Sequence, residues 1–243
     1  MRNSNPVFSA ASKREFADTR VCTYKGVALK TLYYVVMVII GAALGIYLMI
    51  KDPEIGVSFL IGAIFVGFIS SLIAMWVPRA SKYAGTVYCL CEGMVVGLVS
   101  LLLEIAIPGV VGVALISTIA CVMVVAVFYL TGLVKVNSAF LRFLLMFSMS
   151  LLIGWFIGYI LSMFGIINIT ENFGLSMLSS IVMVFLAVLF LFSDMEQIRI
   201  AVEGGMSKEF EWYSSFGLVF TIIWLYIRVL YIVALIMGRV SRR

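Results

Sequence analysis

The chain contains no histidine and few charged residues. None of its 243 residues is His, and Asp, Glu, Lys and Arg together make up 12%. The chain therefore lacks the commonest metal ligand and the commonest proton shuttle of proteins. Its four cysteines show no disulfide framework, and Cys89, Cys91 and Cys121 lie within apolar segments, where Cys usually packs as a small hydrophobic residue. A disulfide-stapled fold and a histidine-based metal centre are therefore poor explanations of this sequence.

Apolar residues dominate instead, at 64% of the chain. A soluble domain of this length could not cover so much apolar surface. The composition predicts an all-α polytopic membrane protein with seven transmembrane helices. Seven apolar stretches each reach the ~20 residues that cross a bilayer, and they cover 31–50, 56–77, 83–103, 109–131, 141–164, 174–200 and 212–237. The short connections predict that successive helices are antiparallel neighbours.

Polar segments flank this transmembrane domain, 31–237. The tail 1–30 has no apolar stretch with a small-residue cleavage site, so it is not expected to be a removable signal peptide. Lys and Arg collect in this tail and in the loops after spans two, four and six, which predicts a cytoplasmic N-terminus. The same rule accounts for the net charge of +5 without nucleic acid. The basic tail 238–243 would lie outside if all seven spans cross, so a re-entrant last span is an alternative.

Three ionisable residues are embedded in the predicted spans: Glu92, Asp194 and Arg228. A charge at this depth is costly and usually faces a bundle interior, a partner or a water-filled cavity. Glu92 fits either an ion path or a protonated, hydrogen-bonded carboxyl. Asp194 could instead reach the membrane interface near Glu196. Arg228 either meets an acid inside the bundle or extends its long side chain to the headgroups. Glu92 and Asp194 are also the candidate calcium contacts.

Pairs of glycines four residues apart occur in three of the spans. Such pairs let helix backbones approach closely, because lipid supplies no hydrophobic drive between helices. Packing within the chain is the favoured interpretation and a dimer interface the alternative. The pairs are Gly41 with Gly45, Gly93 with Gly97, and Gly154 with Gly158.

Motifs of common enzymes are missing from the sequence. It has no glycine-rich phosphate loop, no nucleophile paired with His and no zinc-ligand spacing. We therefore expect no catalytic activity and no cofactor.

Several motifs in the second half of the chain resemble bacterial members of the Bax inhibitor family (TMBIM-type membrane proteins). The likeness covers about 80–237, and the first two spans fit by hydropathy and number only. The motifs are Tyr88-Cys-Leu-Cys-Glu-Gly-Met-Val-Val-Gly-Leu-Val-Ser100, Ile107-Pro-Gly-Val-Val111, Phe192-Ser-Asp-Met-Glu-Gln-Ile198, Glu211-Trp-Tyr-Ser-Ser-Phe-Gly-Leu218 and Thr221-Ile-Ile-Trp-Leu-Tyr226.

The resemblance implies a seven-helix bundle with the last helix at its centre. It also implies a pH-sensitive calcium leak in the cell membrane, or a role in stress and cell-death suppression. In such relatives two acids on the last two helices share a proton and close the pore. Asp194 corresponds to the first acid, but the position of the second holds Arg228. Trp224 and Tyr231 lie on either side of Arg228 in the sequence, and they are second-tier candidates together with Glu196.

This departure predicts a permanent Asp194–Arg228 ion pair. A guanidinium would keep Asp194 ionised and would repel calcium, so the leak is expected to be weak or insensitive to protons. Two functions fit the sequence. The first is a passive calcium or cation leak with Glu92, Asp194 and Arg228 along the path. The second is a non-conducting stress regulator that modulates a membrane protease or another membrane partner. We expect a monomer or weak homo-oligomer in a bacterial cytoplasmic membrane.

Overall fold

Seven helices, each long and apolar enough to cross a membrane, form the part of the chain that the computed structural model describes, residues 21–164 and 173–240. This confirms the predicted all-α, seven-helix class. The helices are α1 (Tyr24–Lys51), α2 (Pro53–Trp76), α3 (Ser81–Ala106), α4 (Val110–Leu130), α5 (Ser138–Met163), α6 (Phe173–Glu203) and α7 (Glu209–Val240), with a 3-10 turn at Pro78–Ala80.

Polar side chains cap the helices where the apolar stretches begin. Asp52 accepts hydrogen bonds from the backbone N–H groups of Glu54 and Ile55 at the start of α2, and Asn137 accepts one from Phe140 at the start of α5. Such caps satisfy backbone donors that a helix start leaves free. Before α4 the backbone turns at Gly109, whose φ of 87° favours glycine.

The first helix begins earlier than the apolar pattern predicts. Thr23 caps it, so the segment Tyr24 to Lys30, part of the predicted polar tail, is helical. The apolar stretch marks only the lipid-facing length of a helix, and α1 continues beyond it. Residues 1–20 of the predicted tail lie outside the described residues.

The helices alternate in direction between two faces of the bundle. Face A carries the start of α1 at Thr23 and the start of α7 at Glu211, which a hydrogen bond joins. Face B carries the start of α6 and the end of α7, where the Arg239 guanidinium lies 4.2 Å from the centre of the Phe173 ring. Because α7 is one continuous helix between these faces, the re-entrant alternative for the last span is wrong.

The last helix lies at the centre of the bundle, as predicted. It packs against α1, α3, α4 and α6 and also touches α2. Its buried residues, among them Phe216, Val219, Leu225 and Leu230, form the middle of the main apolar core.

Two of the three glycine pairs pack against each other inside the protein. A methyl group added to Gly41 or Gly93 would overlap the backbone of Leu90 or Val38, respectively, on the facing helix. Gly45 and Gly97 lie one turn further along the same contact between α1 and α3. The close contacts of these four glycines therefore lie within the chain, between α1 and α3.

Helix α5 is peripheral. Among the described elements its backbone neighbours α6 only, and most of its side chains are exposed. The prediction that successive helices are neighbours is therefore wrong for α4 and α5, because α4 packs against α7 and α6 instead. A methyl group on Gly154 would meet nothing within 4 Å, so this glycine is not at a close helix contact within the described chain.

Candidate functional site

A cavity of about 590 Å³ brings two of the three predicted residues together. It lies between α3, α6 and α7, and its walls include both Glu92 and Asp194. Its lining contains both polar side chains and large aromatic side chains. The lining residues are Met75, Tyr88, Glu92, Phe190, Asp194, Gln197, Tyr213, Ser214, Phe216, Gly217, Phe220, Thr221, Ile223, Trp224 and Ile227.

The two acids lie at similar depth. At roughly 1.5 Å per residue, Glu92 lies about 16 Å along α3 from its start at Ser81, and Asp194 about 14 Å along α6 from its end at Glu203. Both distances start from face A. Because α3 and α6 have 26 and 31 residues, or lengths of about 39 and 46 Å, both carboxyl groups lie well inside the bundle, in the half nearer face A.

Asp194 faces the central helix. The Thr221 side chain on α7 lies near its carboxyl group, while the Thr221 hydroxyl donates a hydrogen bond to the Gly217 carbonyl oxygen, at 3.2 Å. The Asp194 carboxyl oxygen Oδ2 is buried without a hydrogen-bond partner among the described residues. Neither Asp194 nor Glu92 forms an ion pair with any Lys or Arg in the described ranges. The cavity therefore concentrates two carboxyl groups that lack a counter-charge from the protein.

Arg228 does not pair with Asp194, so the predicted ion pair is wrong. The reason is the register of the two antiparallel helices. Thr221 faces Asp194, and Trp224 packs against Phe190 with ring centres 6.1 Å apart. Arg228 follows Thr221 by nearly two turns, which places it about 10 Å further toward face B. The predicted proton-insensitive leak rested on this pair and no longer follows.

The guanidinium of Arg228 is half-buried. Its Nε–H donor has no hydrogen-bond partner within the described chain. Tyr231, one turn later on α7, is the neighbour that interacts with it electrostatically. Among the described residues, the arginines that form ion pairs are Arg79 and Arg199.

The other second-tier residues divide between the cavity and a separate cluster. Trp224 lines the cavity, whereas Glu196 points away from it. The Glu196 carboxylate accepts hydrogen bonds from the Tyr129 hydroxyl, at 2.6 Å, and from the Arg199 guanidinium, at 2.5 Å. Glu196 therefore joins α4 to α6 near face A and is not part of the carboxyl cavity.

Replacing Arg228 with Met is expected to leave the thermal unfolding midpoint in detergent unchanged or slightly raised. Met keeps an apolar side chain of similar length and removes a half-buried cation that has no carboxylate partner. Arg199→Met is the matched control. It removes the arginine that pairs with the buried Glu196 carboxylate, so it should lower the midpoint. A loss for Arg228→Met as large as for Arg199→Met would mean that Arg228 does pair with an acid in the membrane.

Sequence reasoning named Trp224 but missed other residues of the cavity. Tyr213, Gly217 and Thr221 are four residues apart, and Trp224 follows three residues later, so all four lie on one face of α7. Together with Gln197 on α6 they surround Asp194. The helical spacing was a usable signal, but the apolar residues between these positions obscured it.

Residues 5–238 match the model of the family described as Bax inhibitor 1 like. The chain belongs to the Bax inhibitor 1 like family. No curated protein matches the chain in a sequence search.

The cavity of this Bax inhibitor 1 like protein has two acidic side chains among its lining residues, Glu92 and Asp194. Calcium takes six to eight oxygen ligands. Within the described residues no three or more His, Cys, Asp or Glu side chains cluster closely enough to hold a metal ion.

Proposed function

We propose that this protein is a passive cation leak, with calcium as the ion, and that the carboxyl cavity is part of its path. The observation that carries the proposal is the common cavity of Glu92 and Asp194, which have no Lys or Arg partner in the described chain. In a cavity with apolar walls, carboxylates raise the local concentration of cations, because low-dielectric walls focus their field.

The small number of ligands supports passage rather than storage. Conduction requires that an ion bind well enough to enter a site and weakly enough to leave it. Glu92 and Asp194 would attract the cation, and the Thr221 and Ser214 hydroxyls and the Gln197 amide would replace part of its water shell. Arg228 lies outside this group and, about two turns away, opposes cation passage toward face B.

The distribution of positive charge supports an orientation. Lys25, Arg79, Lys82 and Lys208 lie at face A. By the positive-inside rule face A is cytoplasmic, and the cavity then lies in the cytoplasmic half of a bacterial cell membrane.

A second candidate function is a non-conducting regulator of a membrane protease or of another membrane protein. Helix α5 favours it, because this helix neighbours α6 only among the described elements and leaves most of its surface free for lipid or a partner. Arg228 on the central helix favours it as well.

Neutralising either acid is expected to slow calcium uptake by proteoliposomes about tenfold, since a loss of 1.4 kcal/mol in attraction already has this effect. The variants are Glu92→Gln and Asp194→Asn, which keep the shape of each side chain. Glu54→Gln, an exposed acid at face B, is the control with the same charge change and should keep the wild-type rate.

The outcome also separates the two candidate functions. If both cavity variants take up calcium at the wild-type rate, Glu92 and Asp194 are not part of the path. A wild-type protein that conducts no calcium but co-purifies with a membrane partner would favour the regulator.

A further inference from the structure

A second cavity of about 760 Å³ extends further toward face B than the first along α3, and the two cavities overlap in depth along α7. Helices α1, α3, α4 and α7 form its walls. Its lining is nearly all apolar, and its polar groups include Ser100, Tyr226 and Glu104. The Glu104 carboxylate marks the face B end, where it accepts hydrogen bonds from the backbone N–H groups of Gly109, at 2.6 Å, and Val111, at 2.9 Å.

The two cavities have one lining residue in common. Ile223 lines both of them, so it forms part of the wall that the cavities share. Tyr226 lies one turn further along α7. Its hydroxyl forms a 2.8 Å hydrogen bond with the Ser100 hydroxyl of α3, and both side chains are buried. This bond holds α7 against α3 beside Ile223.

We propose that Ile223 and the Ser100–Tyr226 hydrogen bond form the closed barrier of the path. The inference rests on the proposed cation leak and assigns its gate. When the bond breaks, α3 and α7 can separate at this level, and the carboxyl cavity joins the second cavity as far as Glu104. A single bond between two hydroxyl groups is weak enough to break and reform readily in the native protein.

The chemistry of the contact suits a barrier. While the bond is formed, one hydroxyl donates to the other, and the surface around them in the second cavity is nearly all apolar, which disfavours water. Once it is broken, both hydroxyl groups need new partners, and water entering from the carboxyl cavity supplies them. The same event that opens the contact therefore hydrates it.

Removing either hydroxyl should open the barrier. Tyr226→Phe and Ser100→Ala each delete one side of the same bond, and each is expected to raise calcium uptake by about threefold to tenfold, the range that one net hydrogen bond can supply. The double variant should show no further increase, because both changes remove one interaction. Tyr159→Phe and Ser148→Ala on the peripheral α5 are the matched controls and should keep the wild-type rate.

Thiol labelling tests the barrier without relying on conduction. The four native cysteines are replaced with Ala, and single cysteines are introduced as Ser214→Cys in the carboxyl cavity and Ile222→Cys in the second cavity. A membrane-impermeant methanethiosulfonate reagent is then added at face A of vesicles holding the full chain. We expect Ser214→Cys to react and Ile222→Cys to be protected. Adding Tyr226→Phe or Ser100→Ala should make Ile222→Cys react.

The outcomes distinguish the gate from the leak. If Ile222→Cys reacts at the same rate as Ser214→Cys while Ser100 and Tyr226 are both present, the proposed barrier is wrong. Continued protection in both hydroxyl variants would overturn the role of the bond. Labelling as expected, with no calcium uptake by wild type or variants, would support the barrier and refute the leak.

Discussion

Replacing Glu211 with Gln is expected to lower the free energy of unfolding by about 3–5 kcal/mol, the usual loss when one member of a buried ion pair is removed. The Glu211 side chain is 2% exposed and pairs with Lys30, which is 13% exposed. Its carboxylate also accepts hydrogen bonds from the Thr23 backbone N–H and hydroxyl, each at 3.0 Å. The substitution leaves Lys30 without its counter-charge and loosens the start of α1.

An exposed ion pair at the same face provides the control. Arg79 and Glu209 are 85% and 50% exposed, so Glu209→Gln should change the free energy of unfolding by no more than about 1 kcal/mol. The measurement is the thermal unfolding midpoint of each purified variant in detergent. Equal midpoints for Glu211→Gln and Glu209→Gln would show that the buried pair does not hold α1 to α7.

Cys22 provides a second, local measurement of the same contact. The Cys22 thiol is buried near Glu211 and Lys30. Burial and the nearby Glu211 carboxylate raise the pKa of this thiol. In a chain with Cys22 as its only cysteine, maleimide should therefore react slowly at neutral pH. Glu211→Gln should speed the reaction, because the carboxylate is gone and the segment opens more often.

Replacing Gly93 with Ala is expected to destabilise the protein by about 1–3 kcal/mol, as overpacking of a close contact usually does. The added methyl group would overlap the Val38 carbonyl oxygen and would lie 3.0 Å from the Val38 Cα atom. These are backbone atoms and cannot rotate away, so α1 and α3 would have to move apart along their whole contact.

Glycines in open surroundings should respond in the opposite direction. Gly62→Ala in α2 and Gly154→Ala in α5 meet nothing within 4 Å. Because Ala has the higher helix propensity, each should be neutral or stabilise the protein by up to about 1 kcal/mol. Thermal midpoints in the same detergent compare the three variants. A neutral Gly93→Ala would mean that α1 and α3 are not in backbone contact.

Most of the architecture could be predicted because hydropathy reports directly on burial in lipid. Each apolar stretch corresponds to one helix, and the family resemblance placed the last helix at the centre. The pattern could not show which helices touch, because lipid-facing and protein-facing residues are equally apolar. It therefore missed that α4 packs on α7 rather than on α5, and that α1 continues to Tyr24 beyond the hydrocarbon.

The candidate site could be predicted in part for a similar reason. Glu92 and Asp194 stand out as acids in apolar segments, and both line the cavity. The partner of Asp194 could not be read from the sequence, because it depends on the register between α6 and α7. That register brings Thr221, and not Arg228, beside Asp194. Glu211 was overlooked because a charge near a helix end looks solvated until Lys30 of a distant segment covers it.

The rate of calcium uptake by liposomes that contain the purified protein tests the shared carboxyl cavity most directly. Wild type is measured beside a variant that carries both Glu92→Gln and Asp194→Asn, at equal protein content. We expect clear uptake by wild type and a rate near that of empty liposomes for the double variant. Equal uptake by the two proteins would contradict the assignment of this cavity to the ion path.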